Sequence, residues 1–146
     1  MNQKITPIET EVGIITGRDA IYCHHVNVLS EAEFCITGEL MGNNCSKFAE
    51  DIEVKFSTTF SGVLLFKMLA LDFDDIEYES CFDLIEHSEI LANLCAHDKA
   101  AHIGKIDKGY DAQGKFSDAV FHQHFVFGIY DSVFEIIAQH HQLTIN

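Results

Sequence analysis

The residues able to do chemistry fall into a few short clusters. His122-Gln-His124 places two imidazoles at i and i+2, which on a strand point to one face. Two neutral imidazoles so placed can share a transition metal, with His24, His25 or Cys23 as a third ligand. An HxH pattern alone is common, however. No HExxH and no paired-Cys spacing accompanies it, so two histidines on the polar side of an amphipathic strand is the simpler expectation. Cys23-His24-His25 offers a thiol and an imidazole, but a nucleophile and its base must converge on one pocket. Adjacent strand residues diverge; Cys23 and His25 share a face without an orienting third group. His97 and His102 are five apart, which is not one helical face. His140-His141 lies near the end of the sequence, where exposure is expected.

The other cluster is acidic. Asp72, Asp74, Asp75, Glu77 and Glu79 are interleaved with Phe73, Ile76 and Tyr78. The tract lacks the DxDxDG spacing and terminal Glu of a calcium loop. A solvated acidic edge is the plain reading. Aromatic anchors among polar groups favour a protein interface instead, which makes Asp72, Asp74, Asp75, Glu77, Tyr78 and Glu79 the expected partner-binding residues. No GxGxxG, no GxxxxGK[ST] and no GxSxG occurs. The sequence therefore points to a binding protein without a cofactor, not to an enzyme.

Several elements must position these clusters. Ala20 to Leu29 is rich in β-formers. Glu31 to Met41 alternates, with Ala32, Phe34, Ile36, Gly38 and Leu40 on one face. Asp51 to Phe60 alternates again through Ile52, Val54, Phe56, Thr58 and Phe60. Val63 to Asp72 fits a strand joined to its predecessor by a Ser61-Gly62 hairpin turn. Val120 to Ile129 alternates; Leu143 to Ile145 fits a short edge strand; Glu11 to Thr16 is a further strand candidate. Ser88 is placed to cap a helix with Ile90, Leu91 and Leu94 on its apolar side. Ser132 with Glu135 matches a capping box, opening a last helix through Val133, Phe134, Ile136 and Ile137. Asp98 to Phe116, with Gly104, Gly109 and Gly114, reads as an irregular excursion. The expected class is α+β: an antiparallel sheet of about five to six strands with two or more helices packed on it, in one domain over 1–146.

Charge narrows the partner. Twenty-three acids face nine bases, for a net −14. That exceeds the magnitude of about 2–8 that keeps a small domain soluble. It disfavours nucleic acid, whose phosphates need Lys and Arg, and favours capture of a basic protein. Five cysteines, Cys23, Cys35, Cys45, Cys81 and Cys95, form no CxxC pair, and Met1 to Thr10 has no apolar signal region. Free thiols in the cytoplasm are the expectation, with no membrane span.

The run FHQHFVFGIYDSVFEIIAQ, Phe121 to Gln139, resembles the small acidic immunity proteins of bacterial toxin–immunity systems: an aromatic strand runs into Tyr130-Asp131 and then an amphipathic segment. The resemblance covers about twenty residues and assigns no functional residue. It implies that the chain neutralises a cognate toxin domain, often a basic nuclease, by occluding its active site. The alternatives are a small metal-dependent enzyme or metal-binding protein using His122 and His124, and a homo-oligomer burying its Phe-rich faces against copies of itself.

Overall fold

A computed structural model describes residues 4–48, 51–70, 78–91 and 122–146. They form nine strands: β1 (Lys4–Pro7), β2 (Ile21–Ser30), β3 (Glu33–Met41), β4 (Glu53–Ser61), β5 (Leu65–Ala70), β6 (Phe82–Glu86), β7 (Gln123–Gly128), β8 (Ser132–Ala138) and β9 (His140–Ile145). All pairs are antiparallel. One sheet has the order β1-β6-β7-β8-β5 and the other β2-β3-β4-β9. Helical residues among the described ones are the 3-10 turn Gly42–Asn44 and 89–91. The α+β expectation is thus overturned: the described residues make a two-sheet β-architecture with no helix packed on a sheet.

The decisive difference is β8. Its residues alternate strictly, with Val133, Glu135 and Ile137 on one face and Phe134, Ile136 and Ala138 on the other, and all six are buried. A strand covered on both sides reads as a continuous apolar run, which also satisfies helical i, i+3, i+4 spacing. The expected capping box at Ser132 and Glu135 is therefore no cap; both residues sit in the ladder, Ser132 opposite Ala70 and Glu135 opposite Lys67.

The two sheets meet at a corner. β4 bends into β5 at Gly62, and β8 bends into β9 at Gln139, so one antiparallel pair runs through both sheets. Gln139 N–H donates to Ser61 O at 3.0 Å and Leu64 N–H to Ile137 O at 2.8 Å, carrying the ladder round the bend. Gly62, at φ +63°, supplies the left-handed backbone that the bend requires. Ser61-Gly62 is accordingly a sheet-switching bend and not the expected hairpin turn. Glu11 to Thr16 is a turn with isolated bridges, not a strand.

Between the sheets, Ile36, Leu40, Phe56, Phe60 and Leu143 pack against Phe82, Phe125, Phe127, Phe134, Ile136 and Ala138. Six phenylalanines are fully buried there. At roughly 2–3 kcal/mol each, they dominate the hydrophobic contribution. The outer face of the first sheet is buried too, through Ile85, Val126 and Val133, with Ile5, Leu69 and Tyr78 against them.

Candidate functional site

Three turns converge at one end of the molecule: 16–18, 78–81 and 128–130. Cys81 ties them together. Its N–H donates to Ile15 O at 2.7 Å, its carbonyl accepts from Gly128 N–H at 2.7 Å, and its thiol donates to Gly17 O at 3.1 Å. Burial first, then Asp83 and Cys45, pushes the Cys81 thiol up to about 12. It stays protonated at neutral pH and acts as a donor, not a nucleophile.

Next to it the fully buried Asp83 carboxylate accepts from Glu79 N–H at 2.9 Å, from Ser80 N–H at 3.1 Å and from the Ser80 hydroxyl. This fixes the 78–81 turn to β6. The result is a cleft of about 210 Å³ lined by Thr16, Arg18, Tyr78, Glu79, Cys81 and Ile129, among others. It is smaller than the ~300–1,000 Å³ typical of small-molecule sites, and its size suits a single large side chain.

Beside the cleft stand two exposed aromatics and a cation. Tyr22 and Tyr130 stack with centroids 5.7 Å apart, and are 39% and 40% exposed. Arg18 lies 5.2 Å over the Tyr130 ring and bonds Asp131 at 3.0 Å. Tyr, Arg and a pocket are the usual ingredients of an interface hot spot.

Of the expected partner-binding residues, Tyr78 and Glu79 line this cleft. Asp72, Asp74, Asp75 and Glu77 lie outside the described residues. Arg18 and Tyr22 carry no signal in the sequence, and Tyr130 enters there only as part of the resembling run; it is distant from the other two in the chain, and only the fold joins them.

The histidine clusters resolve differently. His122 and His124 are buried, 6% and 1% exposed, not on a polar face. His124 Nδ1 lies 2.7 Å from Ser88 Oγ and its Nε2 2.7 Å from Glu135 Oε1. The second contact is close but bent, so it is more an electrostatic pairing than a linear hydrogen bond. Glu135 Oε2 meets Lys67 Nζ at 2.8 Å. His124 beside it, helped by Lys67, holds the Glu135 carboxyl down to about 2 against the opposing effect of burial. Serine, histidine and glutamate are thus linked as in a nucleophilic triad. Yet Ser88 is 6% exposed, and its Oγ also accepts from Leu91 N–H at 3.1 Å as the cap of residues 89–91. The arrangement is a buried polar staple between that helical turn and the sheet. Nδ1 of His124 is taken by Ser88, and its Nε2 faces the Glu135 carboxylate. No group of three or more His, Cys, Asp or Glu placed to hold a metal occurs among the described residues.

At Cys23 the structure departs from simple alternation. His24 is an extra residue in β2, so Cys23 pairs with Gly38 and His25 with Thr37. The bulge puts Cys23 and His25 on opposite faces, and burial raises the Cys23 thiol. His141 is not a free terminal histidine: its ring rests 4.8 Å from that of Phe125, and burial lowers its pKa. His97 and His102 lie outside the described residues. No helix among the described residues is long and apolar enough to cross a membrane. No family model, curated protein or solved structure matches this chain.

Proposed function

We propose that this chain is an acidic binding protein of the immunity type, which neutralises a basic, nuclease-like toxin domain by seating its three-turn end over the toxin's active site. The observation that carries the reading is the stacked Tyr22–Tyr130 pair with Arg18, set against a cleft of side-chain size. The cleft takes one anchor side chain of the partner. The aromatics supply rigid contact area, and the negative charge of the acids from Asp72 to Glu79 attracts its positive surface. The Cys81 thiol held protonated and the Ser88 and Glu135 contacts of His124 weigh against the metal-enzyme alternative.

The test pairs the chain with the product of the adjacent gene. Co-expression rescues growth, and calorimetry gives a tight complex. Tyr130→Ala and Tyr22→Ala each weaken it by ~10-fold or more, while circular dichroism and melting stay as in the wild type. Wild-type affinity in both variants rejects the site. Failure to bind or neutralise a toxin-like neighbour rejects the function.

A further inference from the structure

We infer that the free edge of β2 receives an extended, cationic segment of the protein partner as an added antiparallel strand. The inference deepens the binding-protein reading and rests on it for the partner's charge. β2 is the first strand of its sheet, and among the described residues only β3 pairs with it. Between the register shifts at His24 and after Val28, its outer N–H and C=O groups, from His25 to Val28, are a template for another strand.

Two features mark this edge as a receiving one. The first is an apolar shelf with no opposing layer among the described residues. Val26 lies opposite Ile36 and Val28 opposite Phe34, so both valines point to the core side of the sheet. Ile36 is fully buried, yet Val26 is 40% and Val28 68% exposed. Among the described residues the facing sheet, whose edge strand is β5, does not cover them; Phe34, stacked on Phe66 of β5 with centroids 4.5 Å apart, closes the core at that point. The second feature is charge. Exposed edges are commonly blunted by charged side chains, but Ile21–Ser30 contains no Asp, Glu, Lys or Arg. The surrounding molecule is at −14. A second copy on this edge would bring two such bodies together. A strand alternating cationic and apolar residues would set its apolar side chains on Val26 and Val28 and its cations in the negative field. The edge is also continuous with the cleft rim, because Tyr22 belongs to β2.

The probe is a fluorescein-labelled peptide of alternating lysine and valine, long enough to span β2, read by anisotropy and by hydrogen exchange. The expected result is saturable binding with protection of the β2 amides. Val28→Lys, at an exposed position, lowers affinity ~10-fold, and N-methylation of alternate probe residues does the same. An N-methylated probe that binds equally well overturns strand addition while leaving the basic-partner reading standing. A glutamate–valine probe that binds equally well overturns the cationic occupant and counts against that reading also. A wild-type dimer that Val28→Lys dissociates, seen by sedimentation, assigns the edge to a second copy and overturns the proposal.

Discussion

Glu135 meets His124 through one oxygen and Lys67 through the other, and that double pairing is what holds its carboxyl at about 2 rather than the ordinary 4.5. The sign of the pH effect follows. A carboxylate whose folded value is depressed contributes stability that is complete above the unfolded value, near 4.5, and is lost as pH falls towards 2. Lys67 is half in solvent, so its share is screened and the contribution is at most ~2 kcal/mol. Urea unfolding of wild type and Glu135→Gln, compared from pH 6 to pH 2, is expected to show the difference between them shrinking through that window. A constant difference refutes the pairing. Ser88 sits at the other end of the same staple. Ser88→Ala leaves Leu91 N–H and His124 Nδ1 without their partner and is expected to destabilise by about 1–2 kcal/mol. Because the hydroxyl is sealed in, a fluorophosphonate probe is expected to leave Ser88 unlabelled.

At the scale of elements, two glycines hold the sheets in shape. Gly38 faces the β2 bulge so closely that a Cβ there would collide with the Tyr22 carbonyl, which is backbone and cannot step aside. Gly38→Ala is therefore expected to cost more than about 2 kcal/mol and to displace Tyr22 from Tyr130, weakening partner binding as well as lowering the melting temperature. Gly62→Ala meets both a positive φ and the Gln139 side chain, and is expected to destabilise the corner without touching the cleft. These elements were unequally legible. β3 and β4 each bury one face and show it by alternation, so their strands and inward residues could be read directly. β8 buries both faces, and a run such as VFEIIA has no period left to distinguish strand from helix. β6 was hidden in acidic sequence because its carboxylate Asp83 points into a hydrogen-bonding turn instead of into water. The bulge at His24 shifts the parity of β2, and no residue type announces it.

The molecule as a whole acts at longer range than any of these contacts. Its field at −14 extends over roughly a Debye length, about 8 Å at physiological salt, so it governs encounter more than residence. The cleft and its tyrosines act only on contact and so set the dissociation rate. The two are separable by kinetics. Reversing Asp72, Asp74, Asp75 and Glu77 to lysine removes more than half of the surplus charge while sparing Glu79, which lines the cleft, and Tyr22, Tyr130 and Arg18. Association with the basic partner is then expected to slow by ~10-fold or more at low salt, and its salt dependence to flatten, with dissociation little changed. Tyr130→Ala is expected to do the reverse, raising the dissociation rate and leaving the salt slope of association intact. Stopped-flow measurements across ionic strength separate the outcomes. If the reversed variant associates as fast as wild type at low salt, the acidic tract does not face the partner, whatever the cleft contributes.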